Sequence, residues 1–168
     1  MPVLRCTSKL LADIDDTPQT GLGSSSPIGD WYGPIFTVER RKCILFINEP
    51  TLFVCLALNV VKADYRHLKP FFVELLGRTL LQEGFEGTEI VLVVSLHEEL
   101  TVDRTTNRST VASLNNRVGD AKTILAYDGG LENVDVVTLT HLLNDTPMKP
   151  IRYSKGLEMM KAFVARAR

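Results

Sequence analysis

Residues Trp31 to Leu58 read WYGPIFTVERRKCILFINEPTLFVCLAL. Three apolar runs, Ile35–Val38, Cys43–Ile47 and Leu52–Leu58, are separated by two polar breaks, Glu39–Lys42 and Asn48–Thr51. Neither break can hold a helix, so the stretch predicts a three-stranded antiparallel meander. The second break, Asn-Glu-Pro-Thr, also has good turn chemistry. Runs this apolar leave few positions for water, and a sheet wetted on one face would alternate instead. Leu45, Ile47, Phe53 and Cys55 are therefore expected in the sheet and buried.

N-terminal to this stretch, Val3–Cys6 predicts a short strand, and Thr7 or Ser8 caps a helical turn at Lys9–Ile14. Residues 15–30, DDTPQTGLGSSSPIGD, are rich in Gly, Pro and Ser and offer little to bury, which predicts a mobile loop. On the C-terminal side a helical region begins at Asp64. Leu68, Phe71, Phe72, Leu75, Leu76, Thr79 and Leu80 recur at three- and four-residue spacing, with Pro70 in the first turn and Gly84 as the stop. Thr88–Leu96 is β-branched, which argues for a strand, while its length and flanks admit a buried helix; the flanks favour the helix. Leu100–Asp103 reads as a strand. Val111, Leu114, Val118, Ala121, Ile124 and Leu125 mark a second amphipathic helix ending near Gly129-Gly130. Val134–Leu143 alternates imperfectly and reads as a late strand, without excluding a helix. Ser154 caps a final helix carrying Leu157, Met160, Phe163 and Val164. Together these elements predict a single α+β domain over residues 1–168, an antiparallel meander with helices packed on the sheet.

Length and composition agree with one domain: 168 residues, 45% hydrophobic and 23% charged, with a formal net charge of −1. Near-neutrality gives no whole-molecule attraction to nucleic acid or membrane, and little repulsion between copies. A homodimer or larger homo-oligomer is the expected state, since the apolar meander would otherwise leave a patch to cover. No apolar run is long enough to span a bilayer, and MPVLRCTSKLL lacks a signal-peptide core, so the expected location is cytoplasmic. Cys6, Cys43 and Cys55 form no C-x-x-C pair, and His67, His97 and His141 have no ligand spacing. No metal and no cofactor are expected.

Several motifs occur in a fixed order: R-C-T-S-K-L-L at 5–11, Trp31, R-R-K-C-I-L-F-I-N-E at 40–49, T-T-N-R-S at 105–109 and L-N-D-T-P-M at 143–148. From Arg5 to about Met160 the chain resembles an uncharacterised family of small prokaryotic proteins, a domain of unknown function. The resemblance implies a single α+β domain and carries no catalytic residue across. The Ser/Gly/Pro-rich segment at 15–30 departs from it.

Two polar clusters are candidate sites. Arg104, Asn107, Arg108 and Ser109 lie where a strand meets a helix start, where free N–H groups and two guanidinium groups would hold a small anion. The structural alternative is that Asn107 caps the helix and Arg108 pairs with Asp103 or a carbonyl. Arg40, Arg41 and Lys42, with Arg5, would form a basic patch; a solvated hairpin turn is the alternative. Trp31, Tyr32, Phe36 and Phe53 either line a cleft or build the core. No catalytic motif is present, so no catalytic residue is assigned. The function expected is a non-catalytic binding or interaction protein. The alternatives are a small nucleic-acid-binding or regulatory protein using the basic clusters, and an enzyme with an unrecognised site.

Overall fold

A computed structural model describes every residue of the chain except Leu22 and Ser24. Strand β1 (Val3–Cys6) leads into a one-turn helix, α1 (Ser8–Leu11). After the loop come β2 (Trp31–Gly33), β3 (Ile35–Val38), β4 (Arg41–Asn48) and β5 (Val54–Val60). Pro34, with no N–H for a ladder, separates β2 from β3. Helices α2 (Lys62–Tyr65), α3 (Leu68–Gln82) and α4 (Gly87–Ser95) follow. Then come β6 (Thr101–Arg104), α5 (Arg108–Tyr127) and α6 (Val136–Asn144). A short hairpin, β7 (Pro147–Met148) and β8 (Ser154–Lys155), precedes α7 (Gly156–Arg166).

β3, β4 and β5 form the expected antiparallel meander. The sheet as a whole is mixed, not purely antiparallel: β1 pairs in parallel with both β2 and β6, while β2 is antiparallel to β4. The reason lies in the connections. The chain travels through residues 7–30 and again through 61–100, enough to return each new strand to the starting end, which parallel pairing requires. Across the sheet the order is β5, β4, β2 with β3, β1, β6.

Each face of this sheet is covered. Leu4, Trp31, Ile44, Phe46, Cys55 and Val102 pack with Phe72, Leu76, Val93 and Met160, from α3, α4 and α7. Tyr32, Cys43, Leu45, Ile47, Val54 and Leu56 pack with Leu114, Ala121, Leu125, Leu139 and Leu143, from α5 and α6. Leu45, Ile47, Phe53 and Cys55 are fully buried, Phe53 one residue ahead of β5. The aromatics are core residues rather than a cleft lining: Trp31 lies edge-on to Phe72 at 5.1 Å and to Phe53 at 6.4 Å. Its indole N–H donates to His97 Nε2 at 3.0 Å, and His97 Nδ1 meets the Val93 carbonyl at 2.7 Å. Those two contacts fit a neutral ring with its proton on Nδ1. Burial holds its pKa below the usual histidine value.

Residues 88–95 resolve as part of helix α4, with Leu96 at its C-cap, and the helix is opened by Glu89 accepting the Glu86 N–H at 2.9 Å. Residues 134–143 are not a late strand but most of α6. The Asp135 carboxylate caps the N–H groups of Val137 and Thr138, and the buried positions Leu139, Thr140, Leu143 and Asn144 follow a helical spacing. A cap and one wet side outweigh the β-preference of Val136, Val137 and Thr138. Ser154 does not cap the final helix: it sits in β8, and Lys155 occupies the cap position.

The loop at 15–30 is pinned near its ends. Gln19 donates its N–H to the Val102 carbonyl at 2.8 Å, Ile28 is fully buried, and Asp30 accepts from Val3 and Arg5. Leu22 and Ser24, part of the segment expected to be mobile, lie outside the described residues. Among the described residues no helix is long and apolar enough to cross a membrane.

Candidate binding groove at the open sheet edge

The structure separates the sequence-derived candidates. Arg5 is buried: its Nε donates to Asp30 at 2.9 Å and its Nη1 to Asp103 at 3.4 Å, so it bridges two buried carboxylates. Arg40 and Arg41 are exposed at the β3–β4 turn, with Arg41 opposite Val38. Arg5 stands level with Tyr32, six residues back along that ribbon, roughly 20 Å at the usual rise per residue. Arg5 therefore does not join the other three. Lys42 is engaged as well, bonding Asp13 at 2.7 Å and the Tyr65 hydroxyl at 3.2 Å. Those contacts raise the Lys42 pKa and lower that of Asp13.

The second cluster sits at the start of α5. Asn107 caps the helix, its Oδ1 accepting the N–H groups of Ser109 at 3.0 Å and Thr110 at 3.3 Å. Arg104 and Arg108 are exposed. Asp103 faces Arg5 and accepts the Arg104 N–H at 2.7 Å. The negative charge at this helix start is the chain's own Glu49. It accepts from Asn107 Nδ2 at 2.8 Å, Thr110 Oγ1 at 3.3 Å and the Tyr32 hydroxyl at 3.5 Å. Burial pushes the Tyr32 phenol up, and the Glu49 charge adds to this. A shallow groove of about 450 Å³ lies beside the cluster, lined by Thr105–Arg108, Val111, Ala112 and Asn115.

The feature that the polar clusters did not signal lies at the other side of the sheet. Among the described residues β5 pairs with β4 alone, so its outer edge has no strand partner there. At the start of that edge Asn144 takes the partner's place. Its Oδ1 accepts the Val54 N–H at 2.7 Å, and its Nδ2 donates to the Val54 carbonyl at 3.0 Å. One side-chain amide thus reproduces the two-bond pairing of a neighbouring strand. Asn144 is fully buried, and Nδ2 also reaches Glu83 at 3.3 Å, whose other oxygen bonds His141 at 2.8 Å.

Beyond Val54 the edge is open, and a groove of about 440 Å³ runs along it. Leu56, Ala57, Leu58, Asn59 and Val60 form its floor. One wall is a stripe of α3, with Phe71, Glu74, Leu75, Arg78, Thr79 and Gln82 at helical spacing; the other is Val136 and Thr140, one turn apart on α6. Asn59 has φ 52°, and the β4–β5 register shifts between Lys42 and Ile44. This irregularity ends the open edge as a bulge does. Arg78 pairs with Glu74 at 2.6 Å, and Asp64 caps the Val61 N–H at 2.9 Å.

The match of a family model to residues 3–159 decides the relationship. The chain belongs to the family described as Domain of unknown function (DUF6933). No curated protein matches it. The family description names no reaction, ligand or partner, so the groove and the two clusters stand on their own geometry.

The last strand of a meander keeps a free edge unless a later strand pairs with it. That was the available sequence signal for the groove, and the late strand read at 134–143 obscured it.

Proposed function

We propose that this protein is a non-catalytic binding module that receives a segment of another protein in the groove between α3, β5 and α6. The observation that carries this reading is the open edge of β5, recessed between two helices and only partly filled by Asn144. An open edge without cover is a template for pairing with another chain. Several polar and charged groups of the sheet and its loops are engaged in holding the fold. Arg5 bridges Asp30 and Asp103, His97 is held by Trp31 and Val93, and Glu49 accepts three donors. All three thiols are free and buried; burial raises the Cys43 pKa and pushes Cys55 up to about 12. Reduced buried thiols are in keeping with a cytoplasmic location. The motive for self-association weakens, because the meander's apolar faces are covered from within by α3 and α5.

The test is methyl-detected NMR of the labelled protein titrated with a panel of short peptides. Saturable shifts are expected at the methyl groups of Leu56, Leu58, Leu75 and Val136. A Val136→Trp change, which fills the groove from its α6 wall, should abolish them while leaving the melting temperature near that of the wild type. Shifts confined to Val111 and Ala112 would move the function to the α5 groove, and no saturable shift at any site would refute the reading.

A further inference from the structure

Resting on the groove as the binding site, we infer that its occupant is an extended peptide segment that adds to the sheet as a strand beside β5, with a basic residue at the end next to Asp64. The molecule carries its own precedent. At Val54 both outward backbone groups are paired by the Asn144 amide in the manner of a strand. Residues two apart in a strand point their backbone groups the same way. The N–H and carbonyl of Leu56, and the N–H of Leu58, therefore face the groove. An incoming segment would continue at Leu56 and Leu58 the pairing that Asn144 begins.

Shape selects a single strand over a second copy of this chain. The open edge is recessed between α3 and α6. Two such edges brought together would bring four helices into collision before the strands came within about 5 Å, the spacing that pairing requires. A lone extended segment has no such flanks. From Leu56 to the irregularity at Asn59 the regular edge runs about 10 Å, three rises at the usual spacing, and the groove continues past it along Val60. One face of the segment would lie on Phe71 and Leu75 and the other on Val136, which favours small or β-branched side chains. Charge sets its direction. Arg78 is already paired with Glu74, while Asp64, at the Val60 end, has among the described residues a backbone N–H, that of Val61, as its hydrogen-bond partner and no cation in a salt bridge. A Lys or Arg at that end of the segment complements it.

The probe is an acetylated, amidated Lys-Val-Thr-Val-Thr-Lys peptide. Two further versions are N-methylated, one at both valines and one at both threonines. With peptide at ten times its dissociation constant, hydrogen exchange at the Leu56 and Leu58 amides should slow about tenfold. Only alternate residues of an added strand point their N–H groups at the sheet. One methylated version should therefore lose binding and the other keep it. Asp64→Asn, which preserves an acceptor for the Val61 N–H, should weaken the lysine peptide several-fold at low salt. If both methylated versions shift the groove methyls as well as the parent does, strand addition is overturned while binding in the groove stands. If the parent at millimolar concentration leaves the groove methyls unmoved, both readings fall. A dimer by sedimentation, with Leu56 and Leu58 amides that become fast-exchanging on dilution, would put a second copy in the groove and overturn the peptide.

Discussion

Replacing Asn144 by Leu removes the amide that pairs Val54 and keeps a side chain of similar volume. The magnitude follows from what is stranded. The Val54 N–H and carbonyl lose partners at 2.7 and 3.0 Å, and both residues are fully buried, so water does not replace the amide. Each buried backbone group left unpaired costs about 1–3 kcal/mol, or about 2–6 kcal/mol for the two. Replacing the buried amide by an apolar group returns part of this, about 1–2 kcal/mol, because the amide no longer has to be desolvated. The expected net loss is about 1–4 kcal/mol, read from urea unfolding as a lower midpoint with an unchanged slope. Asn144→Asp sharpens the test. It keeps an acceptor for the Val54 N–H, loses the donor to the carbonyl and sets a second carboxylate beside Glu83. At neutral pH it should be at least as damaging as the leucine variant. A leucine variant within about 0.5 kcal/mol of wild type would refute the reasoning, since that is the range of a surface substitution away from any such feature.

Three further outcomes follow from the packing. His97 has a depressed pKa in the folded protein, so unfolding takes up a proton. The stability due to its neutral form is complete above the unfolded value of 6.5 and is lost as pH falls below it. The melting temperature should therefore drop more steeply below pH 6.5 in wild type than in His97→Gln; parallel curves would show that His97 is not the group responsible. Gly156→Ala places a Cβ 2.9 Å from the Leu52 carbonyl oxygen and 3.1 Å from Phe53 Cα, backbone atoms that cannot swing aside, and should cost about 1–3 kcal/mol by denaturant unfolding. Arg5→Met leaves Asp30 and Asp103 without their bridging cation and should cost about 3–5 kcal/mol, partly recovered when Asp103→Asn is added. A cycle with no coupling between the two sites would rule out the bridge.

Much of the fold follows from local pattern. The runs at 35–38, 43–47 and 52–58 carry enough apolar residues, broken at turn-forming sites, that β3, β4 and β5 have few alternatives. The period of Leu68–Leu80 and of Val111–Leu125 makes α3 and α5 equally plain, and Asn107 is legible as a cap because a side-chain acceptor before a helical run has one local use. These signals are local because their physics is local: side chains a few residues apart share a face or satisfy a neighbouring N–H. Long-range partners decided the rest. Arg5 looked like part of a basic patch until Asp30 and Asp103 were brought to it by parallel pairing, and nothing near Arg5 in the chain announces them. Residues 134–143 carry a β-branched run whose helical outcome depends on the Asp135 cap and on a core face against β5. Asn144 could be read from the sequence only as a turn residue before Pro147. Its role as the substitute strand at Val54 spans 90 residues, and the open edge beside it exists only because helices flank β5 where a further strand would otherwise lie.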